Sequence, residues 1–359
     1  MEQYWHWLCS NLVGNPGLLN GLVRKFRTPE AVFSQKKKEL LDSFPNCRVL
    51  LTRLWESKQS WDFEREAEKM KRKGISFLSC EHPDFPARLR NIPDRPGGIF
   101  RKGRLPVDEC PSVAIVGARE CSVYGRNLAL WFSEELAANG VQIVSGMARG
   151  VDGYSHRGAF KRQGQTFAVL GGGVDVCYPE ENRDIYEGLI KEGGILSESP
   201  PGIPPMRHLF PLRNRLISGL SDAVLIIEAK EKSGSLITAD FALEQGRDVY
   251  AVPGRLGDTL SSGCNSLIRQ GAGLALSPEK LLEELHVLPN INRRKEQKNK
   301  ISLETSENLV YSCLSFQAKN LEEICCQTEL PLVEVLHILT SLELRGYIKE
   351  VYKNYYTRA

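Results

Sequence analysis

The 359-residue sequence lacks the features that mark several protein classes. It has no run of about 20 apolar residues, as a transmembrane helix needs, and its first residues show no basic segment before a long apolar one. We therefore expect neither a membrane span nor a signal peptide. The ten cysteines include no CxxC pair, and Cys325 and Cys326 are adjacent. This spacing suits neither a zinc knuckle nor an easy disulfide, so reduced thiols in a cytosolic protein are expected.

The chain also lacks the short motifs of several enzyme classes. It has no GxxxxGK[ST] phosphate loop, no GxSxG nucleophile elbow and no cluster of metal-ligand residues. ATP hydrolysis is therefore not supported, and we expect no metal and no cofactor. Four ionisable residues are nevertheless candidate acids or bases: Asp152, His156, Asp175 and Glu198. His156 falls within a predicted helix, where packing and capping roles are commoner.

A large excess of charge is missing as well. The formal net charge is only +3, so any role with nucleic acid must come from local basic patches. Hydrophobic residues make up 42% of the chain and charged residues 25%, which is ordinary globular composition. With this length we expect two or three domains and ample material for a core.

Residues 1–75 predict a small helical domain of the SAM or helix-hairpin-helix type. Apolar residues recur there at helical spacing, and the turn Gly14-Asn15-Pro16-Gly17 separates two helices. Such a hairpin can direct backbone amides toward phosphates, although most stretches of this kind are packing units. Residues 76–110 predict a connector that packs on the following domain, so the Rossmann-like DNA-binding domain is expected to span residues 76–285. The proline-rich part of the connector, from 81 onward, is expected to be extended and irregular.

Residues 111–285 alternate apolar strands with amphipathic helices. We predict strands at 113–116, 141–144, 166–170, 223–227 and 249–251, with helices at 124–139, 153–163, 183–191 and 236–245. This pattern predicts an α/β fold with a Rossmann-like, doubly wound, mainly parallel sheet covered on both faces. Ligands of such sheets bind at the carboxyl ends of the strands.

Residues 286–305 are polar and basic and predict a linker. Residues 306–359 then read as helix, turn, second helix and two short strands at 347–351 and 355–357, which predicts a winged-helix domain. Pro331 suits the first turn of the second helix, and Gly346 suits its end. Because winged helices dock on DNA and on protein alike, this domain alone does not decide the function.

Four strand ends of the central region lead into loops of glycine and other small residues. Backbone amides at helix N-termini lack partners and favour anions, so four such loops on one sheet edge predict a phosphate-lined groove. The candidate phosphate-binding residues of these loops are Gly117, Ser122, Gly125, Ser145, Gly146, Gly150, Gly171, Gly172, Gly173, Gly234, Ser235 and Thr238.

Arginines accompany the same loops, and their guanidinium forks match phosphate oxygens. Arg119 stands where a dinucleotide-binding fingerprint needs a glycine. The others are Arg126, Arg149, Arg183, Arg213 and Arg215. An ion pair with Asp152, Asp175, Glu180 or Glu181 explains any single arginine equally well, but not all of them. Several cations beside several amide loops suit a chain of phosphates better than one nucleotide.

Long motifs of the central region strongly resemble the DNA-processing protein A family. They are "VAIVGARECSVYGR", "IVSGMARGVDGYSHRGA", "AVLGGGVDVCYPEENRDIY", "FPLRNRLISGLSDAVLIIEAKEKSGSLITADFALEQGRDVYAVPG" and "GCNSLIRQGA". The resemblance implies a cytoplasmic, non-enzymatic protein that binds single-stranded DNA, protects it during natural transformation and loads the recombinase RecA. It implies RecA, single-strand-binding protein and a second copy of the chain as partners.

The resemblance also implies roles for single residues. Arg119 and Arg183 would contact the DNA strand, Asn182 belongs to the Tyr-Pro-x-x-Asn motif before Arg183, and Tyr186 would stack a base. Asn214 lies between two arginines in "FPLRNRLISG", and Asn182 and Asn214 are further candidates for contact with the DNA strand. The dimer surface would lie near "GCNSLIRQGAGL", which points to Asn265, Ile268 and Leu274.

Three other functions compete with this one. A nucleoside-monophosphate phosphoribohydrolase carries a Gly-Gly-x-Gly-Thr-x-x-Glu motif at the fourth loop, whereas this chain keeps Thr238 but has Phe241 in place of the glutamate. An NAD enzyme is disfavoured by Arg119. A transcription factor that used only the winged helix would leave the loops of the central region unexplained.

Overall fold

The structure is a computed structural model that describes residues 1–288 and 305–358. Most of the predicted linker at 286–305 lies outside the described residues. The chain begins with six helices, α1 (Glu2–Asn11), α2 (Pro16–Phe26), α3 (Pro29–Ser34), α4 (Lys37–Ser43), α5 (Arg48–Ser60) and α6 (Phe63–Arg72). Thr28 and Asp62 cap α3 and α6 by accepting bonds from backbone amides three residues on.

A nine-stranded sheet forms the centre of the molecule. Its strands are β1 (Ser76–Ser79), β2 (Gly98–Gly103), β3 (Ser112–Gly117), β4 (Gln142–Ser145), β5 (Thr166–Val169), β6 (Gly194–Ser197), β7 (Ala223–Ile227), β8 (Asp248–Ala251) and β9 (Gly273–Leu274). Their order is β1-β2-β6-β5-β4-β3-β7-β8-β9. The seven strands from β6 to β9 in that order are parallel, and β1 and β2 pair antiparallel at one edge.

Helices cover both faces of this sheet. They are α7 (Ala87–Arg90), α8 (Val123–Ala138), α9 (Val151–Lys161), α10 (Arg183–Glu192), α11 (Leu209–Gly219), α12 (Gly234–Glu244), α13 (Ser262–Arg269) and α14 (Pro278–Glu284). Side chains of α8, α9 and α14 pack with Val113 and Ile115, whereas α11 and α12 pack with Ala114 and Val116 on the opposite face. Alternate residues of a strand point to opposite faces, so the continuous apolar run of β3 is buried on both sides.

The predicted Rossmann-like, mainly parallel sheet is confirmed, with differences in detail. The proline-rich segment after residue 81 is not all irregular, because β2 lies in it and extends the sheet. The strand β6 and the helix α11 were not predicted. β6 is short and begins with Gly194, and α11 carries Pro211 in its first turn, which masks a helical pattern.

The N-terminal helices share one hydrophobic core with the sheet. Trp5, Trp7 and Leu8 of α1 are almost fully buried in a cluster that also contains Phe77 and Phe100 of β1 and β2. Burial of each such side chain stabilises the fold by about 1.5–3 kcal/mol. The Gly14 hairpin packs against Leu209 and His208 rather than presenting its amides to solvent. The domain division at residue 75 therefore stays a prediction, and these helices support the sheet.

The C-terminal residues form the winged-helix domain that the sequence predicts. Its elements are α15 (Thr305–Cys313), β10 (Lys319–Asn320), α16 (Leu321–Thr328), α17 (Leu332–Leu344), β11 (Ile348–Tyr352) and β12 (Tyr355–Arg358), with a separate hydrophobic cluster. Pro331 is the N-cap of α17 rather than a residue of its first turn. Gly346 follows the helix with a φ of 75°, a left-handed conformation that glycine adopts without strain.

This domain contacts α8 of the central region. The ring of Phe316 lies 5.2 Å from that of Trp131, measured between centroids. Asn127 donates hydrogen bonds to the carbonyl of Phe316 at 3.3 Å and to the hydroxyl of Thr357 at 3.4 Å. The winged-helix domain therefore packs against α8. Among the described residues, no helix combines the length and apolar character that crossing a bilayer requires.

Candidate functional site

The main groove lies where the strand order of the sheet reverses. After β3 the chain adds β4, β5 and β6 on one side, and β7, β8 and β9 follow on the other. The connections after the adjacent strands β3 and β7 therefore diverge and leave a crevice at their carboxyl ends, as in other doubly wound folds. A groove of about 750 Å³ occupies this place, between the two connections and the helices α11 and α12.

The first loop is filled by a carboxylate of the protein itself. Glu228 follows β7, and its carboxylate accepts hydrogen bonds from the Ser122 amide at 2.8 Å and from the Ser122 hydroxyl. A Cβ at Gly125 would come within 2.2 Å of the Glu228 carboxylate. The N-terminus of α8, where a bound nucleotide would place a phosphate, is thus occupied by an internal anion. Ser122 and Gly125 are therefore not free to bind phosphate, contrary to the sequence-based expectation.

The second loop is arranged in the same way around Asp152. The Asp152 carboxylate accepts hydrogen bonds from the amides of Gly146 at 3.1 Å and Ala148 at 3.4 Å. Burial raises the pKa of Asp152, and the neighbouring Arg213 guanidinium and the two amide bonds partly offset this effect. Ser145 is buried and donates to the carbonyl of Ile115 at 2.7 Å. Ser145 and Gly146 therefore hold the loop together, and their polar groups are not available to a ligand.

Arg213 and Gly150 also have structural roles at the second loop. Arg213 donates to the carbonyls of Gly146, at 2.8 Å, and Val169, and burial lowers its pKa to about 10. Gly150 has a φ of 71° and passes so close to Ala118 that a Cβ would lie 2.2 Å from its carbonyl oxygen. Arg213 thus ties β4 and β5 to α11, and Gly150 permits the close approach of two loops.

The third loop is closed by another segment of the chain. Gly171, Gly172 and Gly173 are buried under residues 200–205 and Phe210. A Cβ at Gly172 would lie 2.8 Å from the carbonyl oxygen of Ile203. The sequence predicted bare amides for phosphate, but Gly172 and Gly173 are needed because other backbone packs against them, and Gly171 lies against Leu209 and Phe210.

The fourth loop does open into the groove. Ser233 caps α12, and Gly234, Ser235 and Thr238 line the groove, although Ser235 and Thr238 are largely buried. Asn214 of α11 lines it too and donates to the carbonyl of Gly234 at 3.2 Å. Of the four predicted amide loops, this one remains accessible to a ligand.

The arginines divide into paired and unpaired groups. Arg149 pairs with Glu181, Arg183 with Glu180 at 2.5 Å, and buried Arg215 with Glu198 at 2.5 Å. Arg119 is exposed at the groove and has no carboxylate partner among the described residues; its guanidinium carbon lies 5.4 Å from the Phe210 ring centroid. Arg126 lies 6.0 Å from the ring of Tyr154.

Three further cations line the groove, although the loop motifs of the sequence do not single them out. They are Arg207, Lys230 and Lys232, which are all exposed and form no ion pair within the described part of the chain. Lys230 and Lys232 lie in the fourth loop, in "EAKEKSG". Their position directly after β7 is the sequence feature that identifies them as candidates. Together with Arg119 they make the groove basic, although the acidic residues Glu120 and Asp152 line it as well.

Two residues expected to contact DNA have structural roles instead. Tyr186 is only 7% exposed, and its hydroxyl donates to the carbonyl of Val174 at 2.8 Å, so its ring cannot stack on a base. Asn182 is buried and donates to the carbonyls of Met147 and Ala148 at 3.1 and 3.0 Å. Both face inward because α10 packs this side against the neighbouring loops.

The four candidate acids and bases do not come together in one site. His156 is fully buried beside the Thr166 hydroxyl, at 2.7 Å, and burial lowers its pKa to about 3. Asp175 pairs with Lys73 at 2.6 Å and accepts from the Gly202 amide at 2.7 Å. Its partial burial opposes ionisation, but these bonds lower its pKa overall. Glu198 is held by Arg215. No cluster of three or more potential metal ligands occurs in residues 1–288 or 305–358.

The residues expected at a dimer surface lie along one edge of the sheet. The Asn265 side chain forms two hydrogen bonds with the backbone of Gly254: it donates to the carbonyl at 3.0 Å and accepts from the amide at 3.1 Å. Ile268 is half-buried on α13, whereas Leu274, in the edge strand β9, is 46% exposed and nearby Leu276 is 64% exposed. Within the described residues, two apolar side chains of this segment thus lie exposed at the edge of the sheet.

Comparison with known proteins gives a consistent match. Residues 76–286 match the family model described as DNA recombination-mediator protein A, and residues 294–351 match a DprA winged helix domain. The chain is 39% identical to protein Smf of Escherichia coli, over 77% of this chain and 75% of the relative. It is 42% identical to protein Smf of Synechocystis, over 83% of this chain and 76% of the relative.

Solved structures agree with the sequence matches. DNA processing protein A from Streptococcus pneumoniae superposes with a TM-score of 0.69 at 34% identity, covering 79% of this chain and 98% of that one. A structure of the Helicobacter pylori protein, described as giving insight into its single-stranded DNA binding mode, superposes with a TM-score of 0.54 at 30% identity. That match covers 59% of this chain and 95% of the other.

Proposed function

The chain belongs to the DNA-processing protein A family of DNA recombination mediators, and from this premise we propose that it binds single-stranded DNA in the groove beside β3 and β7. The observation that carries the proposal is the set of cations Arg119, Arg207, Lys230 and Lys232 along that groove, which form no ion pair with any residue that the structure describes. Separate cations of this kind suit successive phosphates of one strand.

The internal carboxylates support the same conclusion. Glu228 and Asp152 occupy the amide groups that would otherwise bind the phosphate of a single nucleotide. A second anion at either place would be repelled and would find the donors already used. Binding therefore depends on side-chain cations at the groove surface, which favours a strand over a mononucleotide substrate or a dinucleotide cofactor.

We further propose that the protein works in the cytoplasm and places RecA on the bound strand in competition with single-strand-binding protein, without a catalytic step of its own. Support for this finer role comes from family membership and from the open form of the groove. A mediator has to hold the phosphate backbone while leaving part of the strand accessible to the recombinase. Purified protein is accordingly expected to release no base from AMP, which chromatography of the reaction mixture would measure.

The central test is a fluorescence-anisotropy titration of oligo-dT and of a duplex at several salt concentrations. Four phosphate contacts predict a slope of about −2.8 in a plot of log affinity against log salt, since each contact to a single strand contributes about −0.7. Arg119→Ala should weaken binding by about 1–3 kcal/mol and flatten the slope by about 0.7. Unchanged affinity and slope in a folded Arg119→Ala variant would contradict the groove assignment.

Arg183 provides a comparison within the same experiment. It is exposed and pairs with Glu180, and exposed pairs contribute only about 0–1 kcal/mol, so the pair can open to a phosphate. We expect Arg183→Ala to weaken binding as well, and Glu180→Gln to strengthen it slightly because one competing anion is removed. Weaker binding by Arg183→Ala together with tighter binding by Glu180→Gln would indicate that the bound strand continues from the groove to Arg183.

We also propose that two copies of the chain associate through the β9 edge. The exposed side chains of Leu274 and Leu276, and the position of β9 at the end of the strand order, support this surface. Ile268→Glu and Leu274→Glu would each place a charge against an apolar partner and should yield monomers in sedimentation experiments. Folded variants that remain dimeric would rule out this edge.

A further inference from the structure

The N-terminal helices carry a basic surface that is separate from the groove. Residues 24–58 contain nine lysines and arginines but four aspartates and glutamates, a net charge of +5, whereas the whole chain has only +3. The positive charge of the protein is therefore concentrated in this segment. We define the N-terminal basic face by seven of its exposed cations: Arg24, Lys25, Arg27, Lys36, Lys37, Lys38 and Arg48.

Side-chain contacts bring these cations together from three helices. The ammonium of Lys25, on α2, lies 6.0 Å from the ring centroid of Phe44 and donates to the carbonyl of Ser43, at the end of α4, at 3.4 Å. The ammonium of Lys37, at the start of α4, lies 4.8 Å from the ring centroid of Trp55 on α5. Because α4 contacts both of its neighbours in this way, the cations of the three helices belong to one surface.

The cations of this face have no carboxylate partners. None of the seven forms an ion pair with a residue that the structure describes. On the neighbouring helix α6, by contrast, Lys69 pairs with Glu66 and Arg72 with Glu68. A solvated helix surface commonly alternates its charges as α6 does. The basic face lacks that pattern and leaves its cations available to an anionic partner.

Arg27 is held in an unfavourable backbone conformation on this face. It is the C-cap of α2 and has a φ of 74°, a region that glycine adopts at lower energy. Its guanidinium forms no hydrogen bond or ion pair with the described residues that would offset this cost. A cation is thus present at position 27 at the expense of stability, as expected of a binding residue rather than a structural one.

The composition of the face favours a phosphate backbone over a protein or a membrane. The structure describes residues 24–58 throughout, and Val49 is the only large apolar side chain exposed among them. Protein interfaces have an apolar core and are depleted in lysine, and a membrane-docking surface inserts apolar side chains. Clustered lysines and arginines beside aromatic rings are typical of nucleic-acid surfaces.

The face lies within reach of a strand bound in the groove. The turn before α2 packs on α11, because a Cβ at Gly14 would lie 3.3 Å from Leu209 and 3.5 Å from His208. His208 directly follows the groove residue Arg207. The 11 residues of α2 span about 16 Å, so Arg27 lies about that far from this contact. At about 3.4 Å or more per nucleotide, about five nucleotides or fewer cross this distance.

We propose that a single strand leaving the groove continues over the N-terminal basic face, where successive phosphates contact Lys25, Arg27 and Lys37. This inference rests on the proposed groove function, but it adds a second set of contacts that only a strand longer than the groove reaches. It gives the N-terminal helices a role in holding long strands, besides their support of the sheet.

The test compares oligo-dT of about 5 and about 20 nucleotides in anisotropy titrations at several salt concentrations. For the parent protein, three additional phosphate contacts should steepen the slope of log affinity against log salt by about 2.1 on the longer strand, since each contributes about −0.7. Lys25→Gln and Lys37→Gln should each bind the longer strand about 5-fold more weakly at about 0.1 M salt. Neither substitution should change the affinity for the shorter strand.

Two further variants separate binding from folding. In Arg27→Gly the relief of backbone strain offsets the greater entropy of the unfolded chain, so stability in urea unfolding should not fall. The affinity of this variant for the longer strand should nevertheless fall about 5-fold, because a phosphate contact is lost. Lys71→Gln, at an exposed position of α6 outside the face, is the matched control and should change neither affinity nor slope.

The outcomes distinguish the two proposals. A parent protein that binds both lengths with the same salt slope overturns the basic face and leaves the groove intact, as do face variants that bind the longer strand normally. Equal losses on both lengths also overturn it. Face variants that lose only binding to phosphatidylglycerol vesicles or to a polyglutamate peptide would assign the face to a membrane or an acidic protein instead. A parent protein that binds neither strand overturns the groove function and the basic face together.

Discussion

Replacing Glu228 by glycine tests whether an internal carboxylate substitutes for a bound phosphate at α8. The side chain accepts one hydrogen bond from the Ser122 amide, at 2.8 Å, and one from its hydroxyl. Hydrogen bonds to a charged group contribute about 1.5–3 kcal/mol each, and the helix N-terminus adds about 0.3–2 kcal/mol. These contributions already include desolvation, so even their lower limits predict a loss of stability of about 3 kcal/mol or more.

The backbone contributes little to this difference. Glu228 has a φ of 52°, a left-handed conformation that costs a non-glycine residue about 1–2 kcal/mol. Glycine removes that strain but raises the entropy of the unfolded chain by an equivalent of about 0.5–1 kcal/mol. Because the two effects nearly cancel, the measured change reports mainly the missing carboxylate.

The assay is equilibrium urea unfolding with and without small anions. In Glu228→Gly the amides at α8 are free, so formate or phosphate at ten times its dissociation constant should restore about 1.4 kcal/mol. Glu231→Gly, at an exposed position of the same loop, is the matched control and should lose about 1 kcal/mol or less without specific rescue. Binding of oligo-dT should persist in Glu228→Gly.

Two results would refute the reasoning about Glu228. Equal stability of Glu228→Gly and Glu231→Gly would show that the carboxylate contributes nothing to the N-terminus of α8. Equal stabilisation of parent and variant by the anions would show that the amides are not opened by the substitution.

Three further predictions concern the surrounding structure. Burial lowers the pKa of His6 to about 4 from 6.5, so the unfolded chain binds the proton more tightly; the His6 contribution is complete above pH 6.5 and should fall by about 2 kcal/mol toward pH 5, and in pH-dependent unfolding His6→Leu should remove this part of the loss while the part due to buried His156 remains. Tyr186→Phe should lose about 1 kcal/mol of stability in urea unfolding, as expected for one hydrogen bond, and unchanged stability would contradict the role of this hydroxyl. Phe316→Ala should loosen the winged helix from Trp131, seen as faster proteolysis near residue 305, whereas Phe26→Ala should not.

Much of the fold follows from local patterns in the sequence. The apolar runs of β3 and β7 and the amphipathic helices between strands predict a parallel sheet, because strands buried on both faces are mostly apolar. Arg119 can likewise be identified from the local sequence, because this cation replaces a glycine of the nucleotide-binding turn. Elements with weak local signals, such as β6 and α11, were missed.

The state of each loop was decided by residues far away in the chain. Ser122 and Glu228 are 106 positions apart in the chain. No periodicity of the sequence predicts that the Glu228 carboxylate accepts the hydrogen bond of the Ser122 amide. Arg213 reads as a surface cation but is buried, because α11 turns it toward the carbonyls of β4 and β5. Which cations stay unpaired depends on these long-range partners.

The sequence alone therefore determined the α/β architecture, the winged helix and the basic loops at one edge of the sheet, because these depend on residue type and spacing along the chain. Only the tertiary structure decided that Glu228 and Asp152 fill two of the predicted phosphate loops, and that Arg207, Lys230 and Lys232 join Arg119. The physical reason is that a charge acts on its neighbours in space, and those neighbours are known only after the chain has folded.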